Sequence, residues 1–133
     1  MNKKLSNDFP PGFENDEKNV SIDFDGVIHN NDKGWYDGTC YGEPIEGSIE
    51  AIKFLAKDFN IIVFTAKAKP NRPLVNKQTG KQLVEDWLKK YDLFEYIYEV
   101  TSEKPRAKIY IDDKGYKFIN WNKTINDLEV LEW

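Results

Sequence analysis

The sequence predicts an α/β fold in which a parallel sheet is covered by helices on both faces, giving three layers. Segments rich in apolar and β-branched residues alternate with segments whose apolar residues recur at helical spacing. Polar or acidic residues end several predicted strands, where parallel sheets place their ligand sites. The 133 residues suffice for one domain with one core.

The first predicted strand is the apolar run NVSIDF at 19–24. Residues 26–44 are rich in Gly, Asn and Asp, which is typical of a loop, and we expect them to form a short flap. A helix is predicted over 44–58, because its isoleucines recur at helical spacing and Pro44 suits a first turn.

The middle of the chain repeats this alternation. The run NIIVFT at 60–65 is predicted to be a second buried strand. Segment 66–80 contains Pro, Asn and Gly and is predicted to be a loop. Residues 81–92 predict an amphipathic helix, because their apolar side chains cluster on one face.

The last third predicts three strands and a helix. The runs EYIYEV at 95–100 and AKIYID at 107–112 have the apolar character of strands, and 117–121 is predicted to be a short fifth strand. A final helix is predicted over 123–131, with its apolar residues directed inward.

Composition and charge disfavour several classes of function. The formal net charge is −4, which gives no electrostatic basis for binding long nucleic acid or an anionic membrane. The one cysteine allows no internal disulfide, and no apolar run has the length of a membrane span. Residues 1–18 form a polar arm without the apolar segment of a signal peptide. We therefore expect a cytoplasmic protein with one domain at 19–133.

Acidic and hydroxyl side chains occupy the ends of three predicted strands. Asp23 and Asp25 end the first strand, and Thr65 ends the second. Asp112 and Asp113 end the fourth. The carboxyl ends of parallel strands meet at one edge of the sheet, so these side chains are expected to lie together. Converging carboxylates without His or Cys suit a hard cation, and the sequence thus predicts a Mg²⁺ site.

The same region suits phosphoryl transfer. Asp23 is ionised at neutral pH and needs no base to attack phosphorus, which gives an aspartyl-phosphate. Asp25 can donate a proton to the leaving alcohol and then activate water. Gly26 allows the backbone to turn tightly toward the phosphate. Thr65 can donate its hydroxyl to a phosphoryl oxygen, and Lys104 can neutralise charge in the transition state.

The ordered set SIDFDGV, IIVFT and SEKPRAKIYIDD resembles the motifs of the haloacid dehalogenase superfamily of phosphotransferases. That family carries an hhhDxDG motif, a Thr or Ser ending the second strand, a Lys before the fourth strand and acidic residues after it. The resemblance covers residues 20 to 113 and implies a Rossmann-like fold. No segment is long enough for a cap domain, so a small capless phosphatase is implied. Asp112 and Asp113 stand where GDxxxD is commoner, and they would complete the metal site directly or through water.

The resemblance also implies roles for the other site residues. Asp23 would be the nucleophile and a Mg²⁺ ligand. Asp25 would be the general acid/base and would bind Mg²⁺ through its backbone carbonyl. Thr65 and Lys104 would hold the phosphoryl group.

Three further polar residues lie near these motifs in the sequence. His29 is the only histidine and is expected on the flap, where contact with substrate is the less favoured alternative. Lys67 and Arg72 follow Thr65 and are expected in a solvated loop, although either could meet a substrate anion.

The leading interpretation is a Mg²⁺-dependent phosphomonoester hydrolase. Its substrate would be a small phosphorylated molecule: a sugar phosphate, a nucleotide or a 3′-phosphate end. One alternative is a receiver-like phospho-aspartate signalling module, which also uses acidic residues, a Thr and a Lys on a parallel sheet. In a receiver the acidic pair precedes the phospho-acceptor, whereas DxD comes first here. The other alternative is a catalytically silent phosphoryl-binding protein of the same fold, although all four motif positions are retained.

Overall fold

The structure is a computed structural model that describes residues 18–112 and 120–129. Its strands are β1 (Asn19–Asp23), β2 (Asn60–Phe64), β3 (Ile97–Thr101) and β4 (Ile109–Ile111). Its α-helices are α1 (Ser48–Leu55), α2 (Gly80–Lys90) and α3 (Trp121–Glu129), and short 3₁₀ turns lie at Ala66–Ala68 and Phe94–Tyr96. Apart from Lys18, the arm predicted at 1–18 lies outside the described residues.

The described strands form one parallel sheet in the order β3-β2-β1-β4. β1 pairs with β2 along its whole length, from Asn19 to Asp23, and with β4 from Val20 to Ile22. Helices join β1 to β2 and β2 to β3. The predicted α/β class with a parallel sheet is therefore confirmed, and β1 and β2 are the interior strands of the described sheet.

Apolar side chains from the sheet and all three described helices form one core. β1 is buried from Asn19 to Ile22. The buried apolar helix residues are Ala51, Ile52 and Leu55 of α1, Val84, Trp87 and Leu88 of α2, and Trp121 and Leu128 of α3. Removing these side chains from water is the main favourable contribution to folding, and it fixes the helices against the sheet.

α1 is shorter than the helix predicted at 44–58. Ile45 is held in the preceding loop, because its N–H donates to the carbonyl of Ile28 at 2.8 Å. Gly47 has a φ of 86°, in the left-handed region, and directly precedes the helix. The chain becomes helical only after this glycine, so Pro44 belongs to the loop and not to a first helical turn.

The connection from β3 to β4 crosses two strands without a helix. Only residues 102–108 join these strands, which lie at opposite ends of the described sheet. The segment reaches the amino end of β1, where Asn19 Nδ2 donates to the carbonyl of Arg106 at 3.1 Å. There the N–H of Lys108 also donates to the carbonyl of Asn19, at 2.8 Å. Parallel crossovers usually take about a dozen residues or more, so this one is short.

α3 replaces part of a predicted strand. The strand predicted at 117–121 lies mostly outside the described residues, but its last residue, Trp121, begins α3. The helix predicted at 123–131 is confirmed as far as residue 129, with an earlier start. None of the helices in the described part of the chain has the length and apolar character needed to traverse a bilayer.

Candidate functional site

The carboxyl ends of the strands bring three predicted site residues to one edge of the sheet. Asp23 is the last residue of β1 and is level with Phe64, the last residue of β2. Thr65 follows β2 directly. Asp112 follows β4, whose last residue is level with Ile22. Asp23, Thr65 and Asp112 therefore lie at nearly the same level on three adjacent strands.

A tight turn after β1 places Asp25 beside His29. The N–H groups of the three residues after Gly26 all point to the carbonyl oxygen of Phe24, with N···O distances of 3.3, 2.9 and 2.9 Å. Gly26 has a φ of 84°, which residues with a side chain rarely adopt, and its N–H donates to the His29 carbonyl at 2.9 Å. The turn thus returns the chain to Asp25 within four residues.

Both carboxylate oxygens of Asp25 have partners. Oδ1 lies 2.9 Å from His29 Nδ1, and Oδ2 lies 3.0 Å from Lys67 Nζ. Burial raises the pKa of this carboxyl, but the hydrogen bonds from His29 and Lys67 and the charge of Lys67 outweigh burial, so its pKa lies below the ordinary 3.8. Asp25 is therefore ionised at neutral pH in the free protein, where it can accept a proton.

His29 belongs to the core, which corrects its expected position on an exposed flap. Its side chain is fully buried, and Nε2 accepts a hydrogen bond from Gly42 N at 2.9 Å. The imidazole stacks on Phe24 with ring centroids 5.0 Å apart and meets Trp87 edge-on at 5.5 Å. The first residues of the predicted flap, 27–29, are thus packed inside the molecule.

Lys67 is also buried, whereas the sequence predicts a solvated loop. It lies in the 3₁₀ turn after β2 and is 5% exposed. Thr65 Oγ1 accepts a hydrogen bond from Lys67 N at 3.2 Å and so caps this turn. The ring centroid of Trp35 lies 5.2 Å from Lys67 Nζ and 5.1 Å from the guanidinium carbon of Arg72. The site therefore holds a buried cation directly against the Asp25 carboxylate.

Two of the predicted phosphoryl-binding residues differ in their surroundings. Thr65 is buried, and its N–H donates to the carbonyl of Thr101 at 2.9 Å. Lys104 is exposed on the segment between β3 and β4, with Nζ 4.6 Å from the ring centroid of Tyr110. Among the described contacts, it is Lys67 that supplies the cation paired with Asp25.

The oxygen donors at the strand ends fit a hard cation. Asp23 and Asp112 supply carboxylates at the ends of adjacent strands. Because both carboxylate oxygens of Asp25 already have partners, its backbone carbonyl is the group left to offer a metal, as the motif resemblance implies. Among the described residues, no three acidic, His or Cys side chains form a metal-binding group, and Asp113 lies outside them. Mg²⁺ needs few carboxylates because it keeps several waters, so this donor set suits it.

An open groove elsewhere on the molecule contains none of the predicted site residues. It lies between α1 and α3, and its lining includes Glu46, Glu50, Phe54, Trp121 and Ile125. The strand-end residues Asp23, Thr65 and Asp112 and the buried Lys67 lie elsewhere, at the carboxyl edge of the sheet.

The sequence reasoning missed the pairing of His29 and Lys67 with Asp25. A signal for His29 is its position four residues after Asp25, in a turn that contains Gly26. A signal for Lys67 is its position two residues after Thr65, because a threonine that ends a strand can cap the following turn.

The function must be inferred from this geometry. A scan against protein-family models, a search of curated proteins and a search of solved structures each found no match. The feature to explain is the Asp25 carboxylate paired with the buried Lys67, at a sheet edge that also carries Asp23, Thr65 and Asp112.

Proposed function

We propose that the protein is a Mg²⁺-dependent phosphomonoester hydrolase that acts through an aspartyl-phosphate on Asp23, with Asp25 as general acid/base. One observation carries the proposal: Asp25, just beyond the end of β1, is held by a buried lysine and a buried histidine. Such clusters of ionisable groups at the carboxyl edge of a parallel sheet are typical of catalytic sites. The motif resemblance to the haloacid dehalogenase superfamily supports the same assignment.

The proposed architecture is a three-layer, Rossmann-like fold with helices on both faces of the sheet and no cap domain. Contacts of α1 with α3, and of α2 with β3, are compatible with this arrangement. Of the predicted flap at 26–44, residues 27–29 belong to the core, and the remainder is too short for a cap. An uncapped site would admit a small phosphorylated substrate such as a sugar phosphate, a nucleotide or a 3′-phosphate end.

In the proposed first step, the Asp23 carboxylate attacks phosphorus and the leaving alcohol takes a proton from Asp25. In the second step, water attacks the phosphorus of the aspartyl-phosphate, and Asp25 takes the proton from this water. Inorganic phosphate leaves, and Asp23 returns to its carboxylate. Asp25 is ionised in the free protein, which is the form that the second step needs, because there Asp25 is the base.

The first step requires a protonated Asp25 and therefore a weaker pairing with Lys67. A bound phosphoryl group offers Lys67 a second anionic partner. When Lys67 turns toward a phosphoryl oxygen, the pKa of Asp25 rises, because the opposite charge beside it moves away. Lys67 thus takes the electrostatic role that transition states of phosphoryl transfer require, and Lys104 retains that role only through the motif resemblance.

The remaining groups bind and orient the substrate. Thr65 donates its hydroxyl to a phosphoryl oxygen, and Gly26 lets the backbone approach the phosphate. Asp23, the Asp25 carbonyl and the Asp112–Asp113 pair would hold Mg²⁺, which would offset part of the negative charge of the carboxylates and the phosphate.

The first test is hydrolysis of para-nitrophenyl phosphate by the wild type and by Asp23→Asn, each with Mg²⁺ and with EDTA. We expect turnover that needs Mg²⁺ and falls by on the order of 10³-fold or more in Asp23→Asn, because an amide cannot attack phosphorus. The matched control is Asp92→Asn. Asp92 is exposed in the turn after α2 and has a φ of 57°, which asparagine tolerates, so this variant should keep full activity.

The same protein samples distinguish the hydrolase from the receiver-like module and from the silent phosphoryl-binding protein. Absence of Mg²⁺-dependent turnover on the aryl phosphate and on each of the three substrate classes would contradict the hydrolase. A long-lived phospho-aspartate would then favour the receiver-like module. Phosphate binding without either property would favour the silent phosphoryl-binding protein.

A further inference from the structure

We propose that His29 is a positioning residue that holds the Asp25 carboxylate through a single, fixed tautomer. Its Nδ1 lies 2.9 Å from Asp25 Oδ1, and its Nε2 lies 2.9 Å from the backbone nitrogen of Gly42. The two contacts use both ring nitrogens of the only histidine in the chain.

The direction of these hydrogen bonds follows from Gly42. A backbone N–H can only donate, so Nε2 of His29 must accept and carries no proton. The ring proton is therefore on Nδ1, which donates to Asp25. The neutral Nδ1–H tautomer is the one form of the imidazole that satisfies both neighbours.

The orientation of the ring is fixed by aromatic packing on several sides. The imidazole stacks on Phe24 with an interplanar angle of 1°, and it meets Tyr41 edge-on at a centroid distance of 5.4 Å and Trp87 at 5.5 Å. The ring is fully buried, so a flip would exchange its nitrogens inside a packed core.

The partner that sets the tautomer is itself fixed. The carbonyl of Gly42 accepts a hydrogen bond from Trp87 Nε1 at 2.9 Å. A Cβ at Gly42 would lie 2.0 Å from the carbonyl oxygen of Asn30, so a residue with a side chain cannot occupy this place without backbone movement. The backbone at Gly42 is thus held in place, and with it the direction of the N–H that donates to His29.

Both carboxylate oxygens of Asp25 are therefore held by a buried partner. His29 fixes Oδ1, while Lys67 faces Oδ2 at 3.0 Å. The proposed function has Lys67 turn to a phosphoryl group, whereas the imidazole is fixed by its ring packing and by Gly42. Under the proposed function, on which this kinetic role rests, His29 keeps Asp25 aligned with the reacting oxygen when Lys67 leaves it.

The tautomer can be measured without any activity. A two-bond ¹H–¹⁵N correlation spectrum of the ¹⁵N-labelled wild type contains one imidazole, because the chain has one histidine. We expect the neutral pattern with the proton on Nδ1. A proton on Nε2, or exchange between the two tautomers, would overturn the proposal.

Two matched variants test the role in catalysis. An asparagine amide can occupy the place of Nδ1, so His29→Asn keeps a donor for Asp25 and loses the acceptor for Gly42. A glutamine amide can occupy the place of Nε2, so His29→Gln keeps the acceptor for Gly42 and loses the donor for Asp25. Each variant leaves one buried group unpaired, so both should melt below the wild type by similar amounts.

We expect His29→Gln to lower kcat for para-nitrophenyl phosphate by roughly 10- to 100-fold with little change in KM, because a misplaced catalytic group costs about that much. His29→Asn should stay much closer to the wild type. Equal losses of kcat in the two folded variants would overturn the proposal. If neither variant folds, the tautomer measurement alone decides whether His29 holds Asp25. The same holds if the wild type proves inactive. Inactivity of the wild type, unlike the other outcomes, counts against the proposed function.

Discussion

At the residue scale, the Cys40 thiol has a strongly raised pKa. Burial is the largest influence on its thiol and raises the pKa to about 12; the charge of Lys67 lowers it and that of Asp25 raises it further. Because the ordinary value is 9.0, the Cys40 thiol stays protonated over a wider range of pH than an exposed thiol.

We expect Cys40 to react with iodoacetamide much more slowly in the folded protein at neutral pH than in the protein unfolded by guanidinium chloride. The thiolate is the reactive form, and folding suppresses it. Mass spectrometry of the alkylated chain against time measures both rates, and the unfolded sample is the control. Alkylation of the folded protein at the unfolded rate would contradict the prediction.

The raised pKa of Cys40 also determines whether stability rises or falls at alkaline pH. The folded pKa of about 12 lies above the ordinary 9.0, so the protonated thiol favours folding. This contribution is complete below 9.0 and is lost as the pH rises toward 12. Chemical denaturation at several alkaline pH values, with Cys40→Ser as the comparison, would follow this loss.

The carboxylates of the candidate site could be predicted from sequence, but their partners could not. Asp23 and Asp25 can be recognised as candidate site residues because carboxylates are uncommon in a buried strand. The tautomer of His29 depends on Gly42, which lies 13 positions away in the sequence. The loop between them brings the Gly42 N–H back to the imidazole. No local pattern contains that information.

At the element scale, α2 begins where Gly80 approaches the carbonyl of Lys67. A Cβ at Gly80 would lie 1.7 Å from that oxygen. Thr79 and Gln82 form a capping box, with Gln82 N donating to Thr79 Oγ1 at 3.1 Å and Thr79 N donating to Gln82 Oε1 at 2.8 Å. The start of α2 and the turn that carries Lys67 are therefore held against each other.

Gly80→Ala should lower the free energy of unfolding by about 1–3 kcal/mol, because the added methyl group forces two backbone segments apart. The loss is expected although alanine is the better helix former. Urea denaturation measures it. The control is Lys81→Ala, an exposed change in the same helical turn, which should stay within about 0.5 kcal/mol of the wild type. Equal stability of Gly80→Ala and the wild type would show that the close approach is absent.

Element boundaries were predictable where local signals set them. α2 has its capping box and its apolar face in the sequence, and it was placed within two residues at each end. The start of α1 depends on the hydrogen bond from Ile45 to Ile28, which is a tertiary contact. The prediction of a helix from Pro44 is wrong for that reason.

At the scale of the whole molecule, two indole groups hold loop segments against helices. Trp121 of α3 is 2% exposed, and its Nε1 donates to the carbonyl of Val27 at 3.0 Å, a contact that spans 94 positions in the sequence. Trp87 of α2 donates in the same way to the carbonyl of Gly42. α3 is thereby tied to the turn that carries Asp25.

Trp121→Phe should lower the free energy of unfolding by about 1–3 kcal/mol, because it leaves the Val27 carbonyl without this donor and removes buried volume. Guanidinium chloride denaturation measures the change. Trp35→Phe is the matched control, because Trp35 is 50% exposed, and it should change stability by less than about 0.5 kcal/mol. Similar losses in the two variants would contradict the assigned role of Trp121.

The class of fold followed from alternating strand and helix patterns, whereas the order of the strands did not. Pairing of β1 with β4 joins residues such as Val20 and Ile109, and no local pattern encodes this contact. The connection from β3 to β4 also contains no helix, whereas a helix separates β1 from β2 and β2 from β3.

The interior position of β1, between β2 and β4, has a consequence for biosynthesis. A ribosome makes β1 before every other described element, and β2 can pair with it once Phe64 has emerged. The opposite edge of β1 then stays open until Ile111 emerges. During that interval the nascent chain presents an unpaired apolar strand edge, which is the kind of surface that chaperones and aggregating chains bind. The residue that follows closure of this edge is Asp112, so translation completes the four described strands and the last described carboxylate of the candidate site almost together.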